Sequence, residues 1–220
     1  MSYQFISRSV GPTVTYWILR TPISNIRSLI INRPISSTSN TGVNGGFFAA
    51  ANGYNSPPTG GRSISYTRGY STNYLYNGTA SNPVSRRTAV IYNNRRSITR
   101  MNAARLSEIT NRFGTVDVAI GGTDFSSSSW SSTAYYGATK RTALAWEGSN
   151  AYLIVVRTGV VNIPALRSAI DSDLGLGLSS SNAVVLDGSG STSMQVYGNS
   201  SRTWHNANRH IFNMVTLVNT

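Results

Sequence analysis

Ala183-Val-Val-Leu-Asp187-Gly-Ser-Gly-Ser-Thr192-Ser-Met194 is a buried-strand pattern running into a loop. Four apolar residues end at a carboxylate, and Gly and Ser then take over. The apolar run reads as a short core strand. The glycines free the backbone that follows, and the serines compete for its hydrogen bonds. The same alternation recurs along the chain. Segments rich in Ser, Asn, Thr and Gly at 36–46, 52–61, 71–83, 126–134 and 179–182 separate runs rich in Val, Ile, Tyr and Thr at 13–20, 26–33, 87–93, 116–121, 141–147, 151–158, 183–187 and 211–218. Two stretches carry helical spacing instead. Asn102 is placed to cap a helix with Leu106, Ile109 and Phe113 on one face, stopped by Gly114; Asn162 precedes Pro164, with Leu166 and Ile170 a turn apart before Gly175. The expected fold is α+β: a mixed, mostly antiparallel β-sheet core with two or more helices packed on it. No linker interrupts residues 1–220, which predicts a single domain. Ser126–Ser129 is expected to be a mobile loop, a lid over a site.

Composition narrows the chemistry. The 220 residues contain no cysteine, which excludes disulfide scaffolds, thiolate nucleophiles and cysteine zinc sites. No apolar run is long enough to span a bilayer, so membrane insertion is not expected. No charged start followed by an apolar stretch opens the sequence, so a cytoplasmic protein is the default expectation, with export beside a partner or incorporation into a virus particle left open. Net charge is +12, and Lys140 is the one basic residue that is not arginine. Arginine grips phosphate and carboxylate with a fixed fork of donors, so the excess predicts attraction to phosphorylated ligands. The arginines are spread from Arg8 to Arg209, and only Arg86–Arg87 and Arg95–Arg96 form doublets. Without a basic cluster or an aromatic platform, a nucleic-acid partner is not expected. Carboxylate chemistry must draw on seven acids, and His205 and His210 are the two histidines available as neutral-pH bases.

Two glycine-flanked polar motifs stand out. In Asn44-Gly45-Gly46-Phe47-Phe48 the paired glycines permit close backbone approach and the aromatics can anchor the loop; taken alone, Asn-Gly is also a hairpin signal. In Asp187-Gly188-Ser189-Gly190-Ser191-Thr192 a carboxylate sits at the end of a strand, where sites are often built, and the loop amides can form an anion-binding nest. Gly-x-Ser-x-Gly, the phosphate-loop lysine and His-Glu-x-x-His are all missing.

Taken in order, Asn44–Phe48, Ile120–Gly122, Arg141–Ala143, Leu186–Thr192, Arg209 and Asn213 resemble the phosphodiester glycosidase family, across about 44–218. The resemblance implies a hydrolase that cleaves the glycosidic C1–O bond of a sugar-phosphate diester, in a small molecule or a glycan. It implies Asp187 as nucleophile or general base, Asp124 as a second carboxylate, and Arg141 and Arg209 as phosphate clamps. Asn44 and the Gly45 and Gly46 amides would position the substrate, with Thr142, Gly188, Ser191, Thr192 and Asn213 completing the site. No cofactor is required; a divalent cation, were one bound, would take Asp124 and Asp187 as its anionic ligands. Three departures accompany the match: Ser189 stands where the family prefers glycine, Lys140 where proline is frequent, and Thr123-Asp124 where Gly-Pro is common. They keep an alternative in view, a non-catalytic protein that sequesters a phosphodiester or nucleotide-like ligand.

Overall fold

The computed structural model describes residues 3–219. Its first sheet is antiparallel and runs Gln4–Val10, Val14–Pro22, Asn150–Thr158, Thr142–Glu147, Ala183–Val185. The second runs Trp204–His205, Ser193–Gln195, Gly42–Asn44, Ile211–Leu217, Ile26–Arg33. The third has four strands, Ser65–Thr67, Val116–Gly121, Arg86–Tyr92 and Ser97–Ala103. A fourth, two-stranded piece pairs Phe48–Ala49 with Gly60–Gly61. The α+β class read from the sequence is the one observed, and all eight strand-like runs carry strands.

The period of two along each strand decides which sheet packs on which. Leu144, Trp146, Leu153, Val155, Val184 and Leu186 face a core shared with Val118 and Ile120 of the third sheet and with Val43, Met194 and Val215 of the second. The residues between them, Ala143, Ala145, Ile154, Val156 and Val185, face a second core with Ile163, Leu166 and Ile170. A strand buried on both faces shows no polar alternation, which is why 183–186 is uniformly apolar.

Three α-helices cover the sheets: α1 (Leu106–Phe113), α2 (Ser132–Tyr136) and α3 (Ile163–Ser168). The expected cap of α1 is corrected: Asn102 belongs to the Ser97–Ala103 strand, and the Glu108 carboxylate instead reaches back to accept the Ala104 N–H at 2.9 Å. Gly114 stops α1 as expected, at φ 67°. Asn162 caps α3, its Oδ1 accepting the Ala165 N–H at 2.9 Å, with Pro164 in the first turn. The serine run is a single helical turn, Ser127–Ser129, leading into α2. Among the described residues no helix is long and apolar enough to cross a membrane.

Candidate active site

Asp187 stands where the three sheets meet. Val185, two residues before it, pairs with Ala143 on one side and exchanges both backbone bonds with Thr123 on the other, at 2.8 and 2.9 Å. That bridge stitches the first sheet to the extension of the third. Asp187 then donates its own N–H to the Gly45 carbonyl at 3.1 Å, which ties the turn to the second sheet. Gly46 lies against the Gly121 carbonyl and Ser63, where a Cβ would collide. Gly188 likewise lies against the Lys140 carbonyl, whereas Gly45 and Gly190 leave room for the side chains of Asn213 and Arg209.

Asn44 is fully used by the protein. Its Oδ1 accepts from the Thr142 hydroxyl at 2.7 Å and the Ser193 N–H at 3.1 Å, and its Nδ2 donates to the Asp187 carbonyl at 2.7 Å. Asn44 and Thr142, expected to meet a ligand, knot the strands that carry Asp187. Arg141 is also bonded within the protein. It is 6% exposed, and its guanidinium donates to the carbonyls of Ala134 and Gly137 at 2.8 Å and of Val161 at 3.3 Å. Lying over the Trp130 ring, it pins α2 in place through Nε and Nη2. The Gly45 N–H is also taken, by the Asn213 carbonyl at 2.8 Å; the Gly46 N–H has no bond among the described residues.

Around Asp187 the pattern reverses. Burial pushes its carboxyl up to about 6, against the opposing pull of the Ser191 hydroxyl, the Gly188 N–H and the positive charge of Arg209. Arg209 lies across Gly190, where any side chain would overlap the guanidinium, and its other face covers the Tyr54 ring at 3.8 Å. Its Nε is buried without a partner, as are the Thr192 hydroxyl and both amide atoms of Asn213. Asn213 flanks Gly45, whose carbonyl holds the Asp187 N–H. Buried polar groups are almost always bonded, so four unpaired groups around one turn mark a place for a ligand or water. Ser189, exposed in the same turn, holds φ at 55°, the left-handed region that favours glycine.

Asp124 does not join this group. Its carboxylate accepts the Ser126 N–H at 2.9 Å, sits 3.5 Å from Arg87, and is not among the charges acting on Asp187. Asp124 lines a different cleft, and no three histidine or acidic side chains gather among the described residues. A 350 Å³ cleft is lined by Phe47, which follows Gly46 in the chain, and by Arg62, Arg86, Thr123 and Trp130. Sequence reasoning missed Tyr54 as a site neighbour. His205, one of the two histidines, has its Nδ1 buried without a partner and its pKa pushed down by burial. Tyr54 lies 155 positions from Arg209 in a stretch that reads only as loop, so no local signal could pair them.

The sequence matches the phosphodiester glycosidase (NAGPA) family over residues 37–218. Among solved structures the chain is similar to the zebrafish N-acetylglucosamine-1-phosphodiester alpha-N-acetylglucosaminidase catalytic domain auto-inhibited by pro-peptide. The TM-score is 0.63 and the identity 14%, over 98% of this chain and 81% of that one. It is also similar to a hypothetical protein from Synechocystis, with TM-score 0.55 and 14% identity, over 98% of this chain and 61% of that one. No curated protein matches the sequence.

Proposed function

This chain belongs to the phosphodiester glycosidase family, and from that premise we propose that it hydrolyses a phosphodiester-linked sugar at the C1–O bond, with Asp187 as general base and Arg209 at the leaving phosphate. The observation that carries this reading is a carboxyl titrating near neutrality beside a cation that is fixed but unspent. Asp187 titrates at about 6, and Arg209 is stacked at 3.8 Å on Tyr54 with its Nε unbonded.

Breaking the C1–O bond expels a phosphate monoester, a stable anion that needs no acid to protonate it. One carboxylate then suffices. Water oxygen bonds to C1, the bonding pair departs with the phosphate oxygen, and the water proton passes to Asp187. A nucleophilic Asp187 would need a second base to release the sugar, and Asp124 faces another cleft. Negative charge grows on the phosphate as the bond stretches, where a preorganised cation is worth most. Asn213 and Thr192 offer their unbonded groups to sugar hydroxyls, and the Phe47 and Trp130 rings of the 350 Å³ cleft offer faces for a sugar or its aglycone.

Turnover of a panel of sugar-1-phosphate diesters, with products identified by mass spectrometry, tests this reading. Free sugar and phosphomonoester are expected, with the rate cut at least ~1,000-fold in Asp187→Ala. Proton NMR at early times should show the inverted anomer. Ligand recovered intact from a tight complex would instead establish the sequestering alternative, and full activity in Asp187→Ala would remove Asp187 from the mechanism.

A further inference from the structure

The Arg86–Arg87 doublet is only half used by the site above. Neighbouring strand residues point to opposite faces, and the doublet is divided accordingly. Arg86 lines the 350 Å³ cleft, and Arg87 lines another of 410 Å³. The segment 123–131 is the wall between them, with Ser129 and Trp130 on the first cleft and Ser126 and Ser127 on the second.

The second cleft gathers three guanidiniums, Arg87, Arg100 and Arg167, around the single carboxylate of Asp124. Asp124 is shared between Arg87 at 3.5 Å and the Ser126 N–H. Arg100 donates to the carbonyls of Ser180 at 3.0 Å and Ala183 at 3.2 Å, which fixes its head at the cleft without neutralising it. Arg167 stands 3.5 Å from Asp171, whose carboxylate already accepts the Ser180 N–H and hydroxyl. Asp171 is thus a structural anchor and not the merely solvated residue its helical position suggests. The Arg87 Nε is buried with no partner at all. Burial first, and then the nearby Arg87, hold the Arg100 pKa down, opposed in part by Asp124. Cations are here held together against their mutual repulsion, in a cavity also lined by the polar residues Ser126, Ser127, Ser181 and Tyr135.

We propose that this cleft is a second anion-binding site that takes a phosphate group, free or carried on a small organic body. Arg87 and Arg100 grip it, Arg167 closes over it from the exposed side, and Asp124 competes with it for the same cations. Guanidinium forks match phosphate oxygens, and a doubly charged anion relieves the repulsion that Asp124 relieves only in part. Phosphate bound here touches the wall shared with the 350 Å³ cleft, so its occupancy would set the position of 123–131.

Calorimetric titration of the intact protein with inorganic phosphate, and separately with glucose 6-phosphate, tests the site. Asp124→Asn keeps an oxygen for the Ser126 N–H and removes the competing charge, so phosphate should bind at least ~3-fold tighter. Arg87→Gln should weaken it at least ~10-fold, and Arg209→Gln, in the other site, should leave this binding in place. Stronger binding of glucose 6-phosphate assigns the organic phosphate as the ligand; equal binding assigns the phosphate group alone. Absence of binding to the wild type overturns the proposal, as does binding unchanged or weaker in Asp124→Asn, or binding lost in Arg209→Gln and kept in Arg87→Gln. If Arg87→Gln does not fold, the Asp124→Asn comparison decides alone.

Discussion

Asn44 and Asn213 are asparagines on neighbouring strands of one sheet, each 1% exposed, and they are bonded in opposite ways. Asn44 spends its amide on Thr142, Ser193 and Asp187. Asn213 spends none of its own on the protein. The two belong to different networks that touch at Asp187. One includes Arg141, closes on itself and holds the strands in register. The other, with Thr192, Arg209 and the Asp187 carboxyl, carries unused bonding capacity into the core. A saturated network contributes rigidity, and an unsaturated one stores a desolvation cost that a bound substrate can repay.

That contrast is easiest to break from the Asn44 side. Asn44→Ala leaves the Thr142 hydroxyl and the Ser193 N–H without their acceptor and should lower unfolding free energy by about 2–4 kcal/mol, read from urea melts. Asn213→Ala should do the reverse: stability changes by less than about 1 kcal/mol while kcat/KM falls ~10- to 100-fold. Equal stability losses in the two variants would abolish the distinction.

Asp187 sharpens the comparison because its two roles have opposite signs. The folded carboxyl titrates at about 6 against 3.8 for an unperturbed one, so between those values the folded chain holds the additional proton. Its contribution to stability therefore falls as pH rises from 3.8 to 6 and stays unfavourable above. Asp187→Asn should gain about 1–3 kcal/mol at pH 7.5, with the gain vanishing below pH 4 in thermal melts, and should abolish turnover. In the wild type the rate should fall with decreasing pH below about 6, as a base becomes protonated. The smallest effect belongs to the turn itself. Ser189→Gly removes a side chain from a left-handed residue and should stabilise by about 0.5–1 kcal/mol, measurable as a small rise in Tm.

The strands and the Asp187 turn were legible because burial on both faces leaves long apolar runs, and 183–186 and 151–156 have no other reading. Gln4–Val10 was not, since an edge strand with mostly exposed residues carries little apolar pattern. Gly42–Asn44 was not, because three residues of loop-like composition become a strand only through pairing with Ser193–Gln195 and Ile211–Leu217. The site shows the same limit. Residue type marks Arg141, Asn44 and Arg209 equally as phosphate or sugar ligands. Which of them is already committed to carbonyls is decided by partners from 4 to 143 positions away. Ser189 is the converse case: its departure from glycine was visible in sequence, and the positive φ gives that departure its physical meaning.

The placement of Ile211–Leu217 between Gly42–Asn44 and Ile26–Arg33 bears on how this chain comes off the ribosome. Strands that are distant in sequence are neighbours here, and the gap between residues 26–33 and 42–44 stays open until residue 217 has emerged. Asn213 and the cationic head of Arg209 arrive with that same segment. Nascent chains must therefore keep two apolar strand edges unpaired until residues 211–217 have emerged, a delay that favours chaperone capture and penalises any stall before that segment.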